Sequence, residues 1–252
     1  MPFALPDGLL ETLGSAESIA VLTGAGISAE SGIPTFRDAQ TGLWAQYSAM
    51  ELATPEAFER SPRLVWEWYE MRRGLCLRAD PNHGHRALAL LEQRVPVFSL
   101  TTQNVDGLHQ RAGSTSVLEL HGSIMRQKCF ETEAIWDGPI PETDDPPPRH
   151  PETGGWLRPD VVWFGEPLPE RIFEKSLRAA ESADVYLTIG TSGLVHPAAG
   201  LPMAALRSGA TVIEINPAET PFTAHATFSI RGAAGTVLTS LLQMTGGPSP
   251  RT

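Results

Sequence analysis

The sequence predicts an α/β protein built on a doubly wound parallel sheet with a smaller lobe, and three observations carry that expectation. A short apolar run, Ile19 to Leu22, breaks directly into a glycine-rich turn at Gly24-Ala25-Gly26. Strand-like apolar runs then alternate with helical periodicities along most of the chain. The chemically loaded residues fall just after those runs, where a parallel sheet presents its ligands. With 252 residues, 41% of them hydrophobic, the chain is long enough for one full core and a modest insertion.

Residues 7–14 read as an amphipathic lead-in helix, and Ile19, Val21 and Leu22 as a buried strand. Gly24 and Gly26 are expected to let the backbone turn tightly and bring N–H groups against a pyrophosphate at the start of a following helix. Gly24-x-Gly26-x-x-Ala29 alone fits only the relaxed dinucleotide fingerprint. From about 40 to 80 the chain turns helical and aromatic, with Trp44, Phe58, Trp66, Trp68 and Tyr69 and no strand signal. The helix is clearest at 62–78, where Pro62 suits the first turn and Leu64, Val65, Trp68, Met71 and Leu75 share a face.

The alternation resumes with a helix at 84–93, a strand at 95–101, a helix at 105–111 and a strand at 117–120. Residues 123–158 form a second insertion. Within it 139–155 holds six prolines, which predicts a loop or a poorly ordered excursion. There follow a strand at Val161-Val-Trp-Phe164, a helix near 168–182, strands at 185–189, 211–216 and near 226–230, a helix at 197–208 and a closing helix. The expected division is a sheet domain of 1–38, 81–122 and 159–245, a helical module at 39–80, the insertion at 123–158 and a tail at 246–252.

A formal net charge of −10 argues against nucleic acid as the main partner and fits basic, lysine-bearing ones. No apolar stretch reaches the length of a membrane span and the N-terminus lacks a signal-peptide pattern, so the expected location is cytoplasmic. Cys76 and Cys129 lie too far apart in sequence to suggest a disulfide framework or a CxxC pair.

Four ordered stretches, Gly24-Ala-Gly-Ile-Ser28 with Ser31 to Asp38, Thr102-Gln-Asn-Val-Asp-Gly-Leu-His109, Leu120-His-Gly122, and Gly190-Thr-Ser192 with Asn216, resemble the motifs of the sirtuins, NAD-dependent protein-lysine deacylases. They span about 15 to 240. The resemblance implies a Rossmann-like domain, NAD, and acyl-lysine proteins as substrates. It implies that His121, placed after an apolar strand, is the general base that takes a proton from a ribose hydroxyl as the acyl group moves onto ADP-ribose. A neutral imidazole suits that task. Asn104 and Asp106 read locally as an Asx-type turn and helix cap. By resemblance Asn104 lies near the reacting ribose and Asp106 holds the nicotinamide carboxamide. Gly24, Ala25, Gly26, Ser28, Phe36, Arg37 and Gln103 match the phosphate and nicotinamide pocket. Gly190, Thr191, Ser192, Asn216 and, in Gly232-Ala-Ala234, Ala234 match the adenosine half.

Tyr69 and Arg72 stand three apart on the 62–78 helix, hence on one face, where a phenol and a guanidinium can receive a carboxylate. The pair resembles the marker of class III sirtuins, which implies removal of succinyl and malonyl groups, with simple deacetylation beside it. Val161, Phe164 and Gly165 resemble the edge that pairs with the substrate backbone, with Val161 and Phe164 equally readable as core strand. Most sirtuins carry two Cys-x-x-Cys pairs binding zinc in the second insertion. Here Thr132 stands where the partner of Cys129 would be, and Cys129, His150 and Glu152 make a poor tetrahedral set, so no metal is expected. Two other readings use the same residues: an NAD glycohydrolase or ADP-ribosyltransferase, and a non-catalytic NAD-binding sensor.

Overall fold

The computed structural model describes residues 5–35 and 48–246. Phe36, Arg37 and Trp44 lie outside the described residues. Strand β1 (Ser18–Thr23) pairs in parallel with β2 (Val97–Thr102), which pairs with β3 (Val117–Glu119). On its other edge β1 pairs with β7 (Val185–Ile189), followed by β8 (Thr211–Asn216) and β9 (Phe228–Arg231). The order β3-β2-β1-β7-β8-β9 reverses direction between β1 and β7, and that switch point is where an open parallel sheet leaves its ligand crevice.

Because side chains alternate along a strand, β1 feeds two cores. Ile19 and Val21 face α1 (Leu9–Ser15), α5 (His83–Glu92) and α9 (Ala234–Met244). Ala20 and Leu22 face α7 (Glu170–Ser182) and α8 (Leu201–Arg207). The α/β doubly wound expectation holds.

The smaller lobe has its own core. It combines α2 (Ala49–Leu52), α3 (Pro55–Arg60) and α4 (Pro62–Arg78) with an antiparallel sheet of β4 (Gly122–Cys129), β5 (Ile135–Trp136) and β6 (Leu157–Val161). Helix α4 occupies the predicted 62–78, with Pro62 in its first turn and Val65, Trp68 and Tyr69 buried. Arg73 ties it to the sheet, its Nε donating to the Ile124 carbonyl at 2.8 Å.

Four local expectations need correction. The chain leaves β1 in two 3₁₀ turns, Ala25–Ile27 and Ala29–Ser31, ended by Gly32 at φ +79°, rather than entering an α-helix. The helix expected at 105–111 starts only at Leu108, as α6 (Leu108–Arg111), because Gly107 sits at φ +71°. The helix expected at 197–208 is a 3₁₀ turn at Ala198–Gly200 followed by α8. The strand expected at 161–164 runs instead from Leu157 to Val161, in the antiparallel sheet, and 162–166 is a turn held by Glu166 accepting the Trp163 N–H at 2.7 Å.

Candidate active site

The crevice is assembled from the C-terminal ends of β1, β2, β3, β7 and β8. Gly24 and Gly26 lie at its floor, but not as expected: their N–H groups donate to the Ile189 and Gly190 carbonyls at 3.0 and 2.8 Å. Their function is close approach. A Cβ at Gly24 would meet the Gly190 oxygen at 2.8 Å, and one at Gly26 the Gly190 Cα at 2.8 Å, so the two strand-end turns can interlock only without side chains. Among the described residues the Ala25 N–H has no acceptor and remains available to an anion.

Around that floor sits a web of hydrogen-bonding side chains. Ser28, almost fully buried, donates its hydroxyl to Asp106 Oδ2 at 2.7 Å. Asn104 Nδ2 reaches both the Gly24 carbonyl and Ser28 Oγ at 3.1 Å. Asp106 also closes an Asx-type turn, accepting the Leu108 N–H at 2.9 Å, but it is not the cap of α6, whose N-cap is Gly107. Burial pushes the Asp106 carboxyl above its ordinary range, against the pull of the Leu108 N–H and the Ser28 hydroxyl. On the β7 side Gln103 Nε2 donates to Thr191 Oγ1 at 2.9 Å and Asn216 Nδ2 to the Thr191 carbonyl at 3.2 Å. Gly190 takes φ +59°, and Ser192 follows on the same turn. Ala234 is buried at the head of α9, in the loop where Gly232 N–H donates to the Asn216 carbonyl. The next residue's N–H, on Gly235, goes to Glu30 at 2.7 Å.

His121 lies in the two-residue turn, Leu120-His121, between β3 and β4. Its Nδ1 lies 2.9 Å from the Gln103 carbonyl, which can only accept, so Nδ1 carries the proton and Nε2 presents a bare lone pair. Burial lowers its pKa, partly countered by that hydrogen bond. The ring is therefore neutral near pH 7. The next residue must be glycine: Gly122 sits at φ +76°, and a Cβ there would lie 2.1 Å from the Asp160 oxygen. The His121 carbonyl in turn accepts the Val162 N–H at 3.0 Å, joining His121 to the turn that carries Trp163, Phe164 and Gly165.

On that turn Phe164 is exposed and Gly165 stands at φ +91° with open space where a side chain would be. Strand β6, ending at Val161, is the edge of its sheet, so one side of it is unpaired by any described strand. Tyr69 is buried, and its oxygen accepts the Trp163 indole N–H at 2.8 Å. Arg72, one turn on, lays its guanidinium 5.0 Å from the Trp68 ring centre.

Sequence reasoning missed a second tier. His85 and His109 stack edge to face at 4.8 Å, with His85 Nε2 3.4 Å from Ser28 Oγ and His109 Nε2 2.9 Å from Thr23 Oγ1. Asn82 caps α5 and its N–H donates to His85 Nδ1 at 3.3 Å. The available signal was Asn82-His-Gly-His85 at a helix start, immediately after Asp80-Pro81.

The insertion offers zinc no closed site. Cys129 Sγ hydrogen-bonds Glu131 at 3.4 Å and Thr153 Oγ1 at 3.2 Å, while His150 Nδ1 accepts the N–H groups of Glu152 and Thr153 at 3.1 and 3.3 Å. Among the described residues no three His, Cys, Asp or Glu side chains gather at metal-binding distance. The 139–155 segment is a loop with Pro147, Pro148 and His150 buried.

Taken together, a switch-point crevice walled by amides, hydroxyls and a neutral imidazole defines the class of protein that binds a dinucleotide at the strand ends of a doubly wound sheet. The Sir2 family model matches residues 24–197, and the chain belongs to that family, the sirtuins. It is 51% identical over 244 residues to an NAD-dependent protein deacylase of Methylococcus capsulatus, covering 94% of this chain and 96% of that protein. The crystal structure of a Sir2 homologue in complex with NAD superposes with a TM-score of 0.91 at 44% identity, covering 96% of this chain and 94% of the other. A Sir2 complex with a p53 peptide and NAD superposes at 0.84 with 30% identity, covering 96% and 99%.

Proposed function

We infer that this chain is an NAD-dependent protein-lysine deacylase, and that it favours lysines bearing acidic acyl groups such as succinyl or malonyl. The single observation carrying the activity is the unprotonated Nε2 of His121, held by the Gln103 carbonyl at the mouth of the crevice. NAD, when bound, supplies the ADP-ribosyl acceptor and the nicotinamide leaving group. Ser28, Asn104 and Asp106 would hold its nicotinamide end, and Gln103, Thr191 and Asn216 its adenosine side. His121 Nε2 takes a proton from a hydroxyl presented to it, and a neutral ring is what that requires. The unpaired edge at Val161, with Phe164 and Gly165 on the adjoining turn, would pair with substrate backbone.

Support for the acidic acyl preference comes from Tyr69 and Arg72 on one face of α4. Burial pushes the Tyr69 phenol upwards, with Arg72 opposing, so it stays a neutral donor beside a cation. An acetyl group uses neither. The small lobe, on this reading, holds its fold without zinc.

The experiment is mass spectrometry of acetyl- and succinyl-lysine peptides with and without NAD, on wild type, Arg72→Met and His121→Tyr. Expected is NAD-dependent succinyl removal, lost with His121 and selectively lost with Arg72. NAD consumption with no peptide losing mass would replace the deacylase by the glycohydrolase or transferase reading.

A further inference from the structure

We propose that Trp163 is a positioning residue for acyl selectivity: by donating its indole N–H to the Tyr69 oxygen it fixes the phenol as a donor toward the acyl carboxylate. The inference rests on the acidic-acyl reading and deepens it. A phenol can both give and take a hydrogen bond, and a Tyr that accepts from an acidic acyl chain's surroundings would do nothing for a carboxylate, which only accepts. An indole N–H only donates. Its 2.8 Å contact therefore fills one in-plane lone pair of the Tyr69 oxygen, and the phenol hydrogen must turn to the other side. Among the described residues nothing else accepts that hydrogen.

The indole is in turn locked. Its own backbone N–H is bound by Glu166 at 2.7 Å, and the Arg158 guanidinium lies 3.3 Å from the centre of its ring. Arg158, only 1% exposed, pairs with both Glu166 oxygens and donates to the Val161 carbonyl at 2.6 Å. Phe58 closes another side, its ring centre 5.4 Å away. A buried Arg–Glu pair adds little net stability over apolar packing, so its physical return here is orientation. Arg158 and Glu166 hold the turn itself, so loss of the indole N–H alone changes the hydroxyl direction and leaves the turn in place.

The test is steady-state kinetics of wild type, Trp163→Phe, Tyr69→Phe, the double variant and Arg72→Met on succinyl- and acetyl-lysine peptides. The ratio of kcat/KM between the two peptides cancels the folded fraction of each preparation. Expected for Trp163→Phe is a rise of about five- to tenfold in KM for succinyl-lysine, with KM for acetyl-lysine within about twofold. The double variant is expected to be no more selective-defective than Tyr69→Phe alone, because the two residues act through one hydroxyl. Benzothienylalanine placed at 163, which keeps the ring shape and lacks the N–H, is expected to reproduce the Phe result. Equal losses on both peptides, or an unchanged ratio while Arg72→Met collapses it, would overturn the role of Trp163 and leave the acyl preference standing. A wild type without succinyl preference, insensitive to Arg72→Met, would sink both.

Discussion

The crevice and the small lobe solve the same problem, fixing loops that carry polar groups, by opposite means. In the crevice, strand ends in a shared sheet bring Ser28, Asn104, Gln103 and Asn216 together, and glycines let two turns interlock at 2.8 Å. Sheet register sets the positions and side chains only trim them. In the lobe, a three-stranded sheet with a bulge between Ser123 and Gln127 offers little such order, so isolated side-chain contacts hold it. Cys129, Glu131, Thr153 and His150 form one such cluster, Arg158 and Glu166 another. The difference teaches where substitutions will be costly: backbone positions in the first region, individual contacts in the second.

The joint between the regions gives the largest expected effect. Gly122→Ala drives a methyl to within 2.1 Å of the Asp160 oxygen at a positive φ, with no flexible side chain to yield. A loss exceeding about 4 kcal/mol is expected, read as a collapse of the urea midpoint. A midpoint close to wild type would mean that the two regions are not rigidly joined. Next, His121→Ala is expected to lower kcat about 10²- to 10⁴-fold, with NAD binding retained by calorimetry. Since burial lowers the His121 pKa below its ordinary 6.5, the acid limb of kcat/KM should lie below that value in the wild type. An acid limb above pH 7 would contradict the neutral-base assignment.

Much of the crevice was legible because parallel-sheet chemistry is local in sequence: Gly24 to Ser28, Gln103 to Asp106 and His121 each follow an apolar run directly. Physical partners were less so. That Gly24 and Gly26 spend their N–H groups on Ile189 and Gly190 depends on which strand pairs with β1, a contact across more than 160 residues. Trp163 looked like a strand residue because Val-Val-Trp-Phe is apolar. Glu166, three positions on, turns the backbone through a hydrogen bond that periodicity does not encode. Periodicity does fix α4, where seventeen residues leave no ambiguity of face.

Behind the crevice the buried histidines make a moderate prediction. Burial, with Arg86 adding to it, lowers His85 to about 4, and burial with His85 beside it lowers His109 as well. The unfolded chain, with histidines near 6.5, therefore binds more protons than the folded one between those values. Stability from these groups is present above about pH 6.5 and is lost as pH falls below it, for His85 down to about 4, by up to about 1.4 kcal/mol per pH unit for each. Urea midpoints at pH 7, 6 and 5 measure this, and His109→Gln should flatten the slope. A slope unaffected by that substitution would place the proton uptake elsewhere.

The smallest expected effect separates the two regions most sharply. A lobe folded around a structural metal loses that binding free energy when a chelator or a missing ligand removes the ion, on the order of 10 kcal/mol in small domains. In this lobe the Cys129 thiol meets Glu131 and Thr153, its only hydrogen-bond partners among the described residues, and His150 Nδ1 is already engaged by two backbone N–H groups. Cys129→Ala should therefore cost only about 1–2 kcal/mol, the loss of a small buried side chain and two weak contacts. Prolonged EDTA treatment should leave Tm and deacylation unchanged, with metal analysis of the purified protein showing sub-stoichiometric zinc. Gly155→Ala should cost more than Cys129→Ala, since a Cβ there would lie 2.5 Å from Cys129 Sγ and 2.2 Å from a Glu131 oxygen. Were EDTA to lower Tm as Cys129→Ala does, the lobe would be metal-bound after all, and both regions would share one dependence on fixed ligands instead of two independent means of holding a loop.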